Sequence, residues 1–227
     1  LLQALLREVI LWTNLSNPYI LPCLGVSHLF LNHVTIVSPW LEHRDVLAYM
    51  RKTKLSSKEV DRLLEKVAQG LNYLHGEGVL HGDLRGANIL IDNKLNPWLT
   101  DYGLAGLGES PKETVVWGGV RWMAPKVFAP QAWGRYFPYS RASDVYAYGC
   151  VCLELYTEAM PFHQFDESSV LEFVVRGDRP TQPTQDECKG RVLDAKLWTL
   201  VTRCWSQNIE SRLCTEEVVV QMKRIVV

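Results

Sequence analysis

Residues 81–90 read His81-Gly82-Asp83-Leu84-Arg85-Gly86-Ala87-Asn88-Ile89-Leu90, and Asp101-Tyr102-Gly103 follows after a short strand-like segment. These two stretches decide how the chain is read. Asp83, Asn88 and Asp101 supply two carboxylates and an amide, hard oxygen donors of the kind that hold Mg²⁺. Phosphoryl transfer asks for such a set, together with a group that orients the attacking hydroxyl and takes its proton. Taken singly, Asp83 is what a turn uses to cap its own backbone, and Arg85 is an ordinary solvated cation. The joint spacing, with 101 − 83 = 18 positions between the carboxylates, favours the catalytic reading.

Outward from this motif the patterning is mostly helical. Upstream, Ser56 and Glu59 make an S-x-x-E capping box. It opens a long amphipathic helix with the stripe Val60, Leu63, Leu64, Val67, Leu71 and Leu74, ended at Gly76. Val46–Met50 reads as a short helix before it. Leu2, Leu5, Leu6, Val9 and Trp12 recur at helical steps over residues 1–14, until Asn14, Ser16, Asn17 and Pro18 break the pattern. Short β-rich stretches are expected at Ile20–Val26 and Val34–Val37, and around the motif at Val79–Leu80, Ile89–Ile91 and Leu99–Thr100. Residues 102–122 are Gly-rich and irregular, as in a mobile segment. Helices are expected at Ala142–Tyr156, Ser168–Val175, Ala195–Cys204 and Thr215–Val226. β-structure crowds the front of the chain and helices fill the rest.

The 227 residues suffice for one domain or two small lobes, and 47% hydrophobic with 22% charged residues is an ordinary globular balance. A net charge of −1 and the lack of a dense Lys/Arg block argue against a nucleic-acid partner. The most apolar stretch, Val145–Tyr156, is too short to cross a membrane and contains Glu154. Six cysteines without a C-x-x-C pair or zinc-like spacing read as reduced, largely buried thiols. With no signal-peptide pattern, the expectation is a cytoplasmic fragment that begins in mid-domain.

The motif string resembles the eukaryotic protein kinase catalytic loop H-R-D-x-x-x-x-N followed by D-F-G, with Gly82 for the Arg and Tyr102 for the Phe. Further matches extend the resemblance through almost the whole chain. Trp122-Met123-Ala124-Pro125 is similar to the W-M-A-P that closes the activation segment. Ser143-Asp144-Val145-Tyr146-Ala147-Tyr148-Gly149 is similar to S-D-V-W-S-F-G, and Cys204-Trp205 with Arg212 to a late C-W…R pattern. The style is that of the tyrosine-kinase-like, Ser/Thr-specific branch. The resemblance implies an α+β, protein-kinase-like fold: a partial N-lobe and hinge over residues 1–41, made of the αC helix and two strands, and a mostly helical C-lobe over residues 42–227. It implies ATP and Mg²⁺ as cofactors and a protein substrate, and leaves the oligomeric state open. By position, Asp83 is the catalytic carboxylate and Arg85 the cation on the transferring phosphoryl group. Asn88 and Asp101 are the metal ligands, and Ser38, Pro39, Leu41 and Leu90 the adenine site. Glu8, His81, Asp144 and Arg212 give structural support, with Asp144 accepting N–H groups of the catalytic loop.

Some positions depart from the family pattern. The chain carries no Gly-rich phosphate loop and no V-A-I-K strand, so Glu8 lacks its Lys partner and reads equally as an exposed helix charge. Lys126 stands where A-P-E ends in Glu, and would face Arg212 as a second cation. Gly119 stands where many members carry a Thr bonded to the catalytic Asp. Gly82 removes the side chain that reads activation-loop phosphorylation. Two alternatives to Ser/Thr (or Tyr) phosphorylation therefore stay in view: a catalytically impaired pseudokinase acting as an interaction module and, more distantly, a small-molecule phosphotransferase of the aminoglycoside or choline kinase type. The latter shares the H-G-D-L string but lacks the W-M-A-P, S-D-V-Y-A-Y-G and C-W signatures.

Overall fold

The computed structural model describes residues 12–30, 33–102, 119–128 and 139–227. The front of the molecule is a two-stranded antiparallel sheet, β1 (Gly25–Phe30) against β2 (His33–Val37), with Gly25 opposite Val37. Leu24, Val26, Val37 and, beyond the sheet, Trp40 leave apolar side chains exposed. Next come α1 (Val46–Met50) and α2 (Ser57–Gly76), then a second small antiparallel sheet of β3 (Ile89–Ile91) and β4 (Pro97–Leu99). Helices α3 (Pro125–Phe128), α4 (Arg141–Thr157), α5 (Glu167–Arg176), α6 (Ala195–Cys204) and α7 (Thr215–Val226) complete the described chain.

Helix α2 starts where its capping chemistry dictates. The Ser56 N–H donates to Glu59 Oε2 at 2.8 Å, and the Glu59 N–H returns to Ser56 Oγ at 3.4 Å, so two of the orphan donors of the first turn are satisfied reciprocally. Its apolar stripe packs on α4 and along α7. Helix α4 behaves differently: residues 143–156 are buried on every side, the signature of a helix running through the core rather than over it. Its polar atoms are accounted for. The Tyr148 hydroxyl donates to the Leu64 carbonyl at 3.0 Å, and the Tyr156 hydroxyl to Asp61 Oδ1 at 2.7 Å, as buried phenols require. Gly149 lets α6 approach; a Cβ there would meet Cys204 Cβ at 3.0 Å and the Val201 carbonyl at 3.3 Å.

Three strand expectations shift. Residues 19–21 do not open the front hairpin: the Leu21 N–H donates to the Leu99 carbonyl and the Leu99 N–H to the Tyr19 carbonyl, with Ile20 bridging to Leu99. Pro22, which has no N–H, follows directly and ends that pairing. Val79–Leu80 forms no strand among the described residues, and the Val79 N–H is spent on the Leu74 carbonyl in the turn that closes α2. The strand placed at Leu99–Thr100 instead covers Pro97–Leu99. All six cysteines are free, four of them buried. The segment 103–118 and residues 1–11, Glu8 included, lie outside the described residues.

Candidate active site

The loop that carries Asp83 is held from below by α4. Asp144, in the first turn of that helix, accepts the His81 N–H on Oδ2 at 2.9 Å and the Gly82 N–H on Oδ1 at 2.9 Å, while His75 Nε2 lies 2.8 Å from Oδ2. Gly82 has φ 82°, a left-handed backbone that a residue with a Cβ adopts only at a cost. At the loop's other end, Glu154 Oε2 accepts the Gly86 N–H at 2.8 Å and the Trp122 indole N–H at 2.9 Å. Burial pushes the Glu154 carboxyl up to about 7 against these stabilising donors and the nearby Arg85 charge. Sequence reasoning singled out Asp144 and passed over Glu154. The available signal was a lone carboxylate in the most apolar stretch of the chain, where an acid needs a specific partner.

Within this frame Asn88 is locked onto Asp83. Its Nδ2 donates to the Asp83 carbonyl at 2.7 Å and to Asp83 Oδ2 at 2.9 Å, so the amide oxygen is the end left to face a ligand. Arg85 Nε sits 3.3 Å from the same Asp83 oxygen. Burial raises the Asp83 carboxyl above the ordinary aspartate range; Arg85 and Asn88 oppose the rise and Asp101 adds to it. Asp101 is brought close by the β3–β4 register. Ile89 pairs with Leu99, the Thr100 N–H donates to the Asn88 carbonyl at 3.1 Å, and Asp101 follows, exposed and in the left-handed region at φ 56°. The three oxygen-bearing side chains thus sit around one strand end, and their donor chemistry fits Mg²⁺.

The ring behind them is Tyr102. It is buried, its hydroxyl donates to the Leu21 carbonyl at 3.0 Å, and its ring lies 4.7 Å from that of Trp12. The Trp12 indole N–H closes the contact on the Tyr102 carbonyl at 3.1 Å. His81, fully buried beside it, is driven down to about 4 by desolvation and stays neutral at physiological pH. Its Nε2 has no hydrogen-bond partner among the described residues.

The remaining expected residues fall on the periphery. Ser38 is exposed, and Pro39 and Leu41 are half-buried. The chain after them is tied to β3 by the Ile91 N–H on the Arg44 carbonyl at 3.0 Å and by an Asp45–Leu90 bridge. Arg212 is buried, donates to the Ser206 and Ala142 carbonyls at 2.8 and 3.0 Å, and lies over the Tyr146 ring. Desolvation lowers it to about 10, and the nearby Arg179, which lies over the same ring, pushes in the same direction. Lys126 is buried in α3. Gly119 lines a small recess with Gly82, Asp83, Tyr139 and Asp144.

The model of the protein kinase domain family matches residues 2–222. The chain is a protein kinase domain. Among similar proteins, a probable serine/threonine-protein kinase of Dictyostelium discoideum is 32% identical over 156 residues, covering 68% of this chain and 22% of that protein. The serine/threonine/tyrosine-protein kinase HT1 of Arabidopsis thaliana is 30% identical over 182 residues, 78% of this chain and 43% of its own. Mitogen-activated protein kinase kinase kinase 1a of Physcomitrium patens is 31% identical over 188 residues, 81% and 24%. The kinase domain spans less than half the length of these relatives. Kinase domains in general use ATP and Mg²⁺, and no described helix here is long and apolar enough to cross a membrane.

Proposed function

We propose that this domain, in the protein that carries it, transfers the γ-phosphoryl group of ATP to a Ser or Thr hydroxyl of a protein substrate, with Tyr as the less favoured acceptor. The observation that carries this reading is the clamp of Asn88 on Asp83 with Asp101 delivered beside it. Asp83 orients the acceptor hydroxyl and takes its proton, and Arg85 offsets negative charge on the transferring group. Asn88 and Asp101 would hold Mg²⁺, which when bound neutralises the nucleotide phosphates. Ser38, Pro39, Leu41 and Leu90 seat the adenine, and His81, Asp144, Arg212 and Glu8 support the frame. Residues 1–41 then belong to the N-lobe and hinge, residues 42–227 to the C-lobe, and the site of action is the cytoplasm.

A non-catalytic interaction module is the second reading. It is favoured by Gly119, which brings no hydroxyl to the recess beside Asp83. The two part on a phosphotransfer assay of the full-length protein. Asp101→Ala should abolish turnover. Asp83→Ala should lower kcat strongly with little change in the KM for ATP, because the nucleotide does not touch that carboxylate. An active protein indifferent to Asp83→Ala would remove the assignment. An inactive wild type that still binds a partner protein would favour the second reading.

A further inference from the structure

Asp144 and His75 form a buried pair whose outer end is closed by a residue outside every motif of the chain. His75 Nε2 is 2.8 Å from Asp144 Oδ2, and the ring's other nitrogen, Nδ1, lies 3.3 Å from the Thr215 hydroxyl. Thr215 is the first residue of α7. His75, Asp144 and Thr215 are 1%, 2% and 3% exposed, so water cannot substitute for any member of the chain of contacts. With Nε2 committed to Asp144, Nδ1 depends on Thr215, and a hydroxyl serves a ring nitrogen as donor or acceptor in either tautomer. A buried imidazole held at one nitrogen only is free to turn about its Cβ–Cγ bond, and its unpaired nitrogen carries a desolvation cost. The same Asp144 oxygen that meets His75 accepts the His81 N–H, and its twin accepts the Gly82 N–H. Any loosening of the ring is therefore passed to the backbone immediately before Asp83.

We infer that Thr215 is a positioning residue: its hydroxyl fixes the His75 ring, through which Asp144 sets the His81–Gly82 backbone that presents Asp83. The inference ties the last helix of the domain to the catalytic loop through four hydrogen bonds, three of them buried, and helix α7 packs along α2, which carries His75. Its consequence for turnover rests on the reading of Asp83 proposed above; the structural link does not.

The test is amide hydrogen exchange on the full-length protein and its Thr215→Val and Thr215→Ser variants, followed at His81 and Gly82 and, as a reference, at Val151 in the middle of α4. Valine keeps the shape and loses the hydroxyl; serine keeps the hydroxyl. Thr215→Val should lower protection at His81 and Gly82 about tenfold more than at Val151, and Thr215→Ser should restore it. Equal loss at all three amides, or no loss, would overturn the inference by reducing Thr215 to core packing. Should the valine variant not fold, the wild-type Thr215 hydroxyl proton decides: slow exchange with a cross-peak to the His75 ring supports the link, and fast exchange removes it. In a phosphotransfer assay Thr215→Val should lower kcat several-fold at unchanged KM for ATP. If the protein proves catalytically silent, the proposed function fails while the exchange data still judge this contact.

Discussion

Glu154→Gln tests the electrostatics of the core directly. Glu154 is 2% exposed, so its charge is not screened by solvent, and its carboxyl stands at about 7 in the folded chain against 4.5 for the free group. At 1.36 kcal/mol for each pH unit, that gap corresponds to about 3 kcal/mol. The folded state binds the proton more tightly than the unfolded state. The carboxyl's contribution is therefore fully present below about pH 4.5, and it is lost as pH rises through about 7. Glutamine keeps an oxygen for the Gly86 and Trp122 N–H donors but cannot ionise, so the variant lacks this part of the pH dependence. Its amide protons also need acceptors, a cost on the order of 1–3 kcal/mol that does not change with pH. Urea unfolding of both proteins at pH 5, 6, 7 and 8.5 isolates the term, since the other titrating groups cancel in the difference. The stability of the variant relative to the wild type should rise by about 2–3 kcal/mol between pH 5 and pH 8.5. A flat difference across that range would refute the argument that burial, rather than the two hydrogen bonds, dominates the Glu154 environment.

Two further outcomes are expected. Gly149→Ala should destabilise the domain by about 1–3 kcal/mol in the same urea assay, because its new Cβ meets backbone-proximal atoms of α6 at 3.0 Å that cannot move aside alone; unchanged stability would mean the α4–α6 crossing is loosely packed. Titration calorimetry of residues 1–227 with Mg²⁺–ATP should give binding weaker than micromolar, since residues 1–227 hold no Gly-rich phosphate loop and phosphate contacts carry much of a nucleotide's affinity; micromolar affinity would refute that dependence.

The helices were legible because their signals are local. Ser56 and Glu59 mark the start of α2 within one turn, and the stripes of α2 and α6 repeat at helical spacing. The loop of Asp83 and Asn88 was legible because its side chains stand at fixed separations that survive as a string. Strand limits were less legible. Whether residues 19–26 pair with β2 or with β4 is a choice between a near partner, Val37 for Gly25, and a distant one, Leu99 for Leu21, and only Pro22 hints at the division. The partners of Asp144 illustrate the same boundary: its role at the loop was readable from the S-D-V-Y string, whereas the approach of Thr215 to His75 spans 140 positions and leaves no pattern in either neighbourhood. The confrontation of Lys126 with Arg212 rests on motif order alone; Arg212 itself donates to two backbone carbonyls and lies over the Tyr146 ring, as Arg179 does.

What orders the Asp83 loop is a helix buried in the core. Asp144 and Glu154 lie ten residues apart on α4, a rise of about 15 Å at 1.5 Å per residue. One carboxylate takes the N–H groups at the entrance of the loop and the other takes the N–H beyond Asp83. Both loop positions next to these contacts are glycines, and each serves a different need. Gly82 supplies a left-handed backbone, while a Cβ on Gly86 would come within 3.0 Å of Glu154 Oε1 and of Leu47. The Trp122 indole, from the segment that precedes α3, shares the Glu154 oxygen with the Gly86 N–H. A shift of that segment is thereby felt at the catalytic loop through one buried atom. A core helix with two acids thus accomplishes what a loop of glycines could not do alone, fixing from both ends the loop that carries Asp83, while the β3–β4 register brings Asp101 beside it.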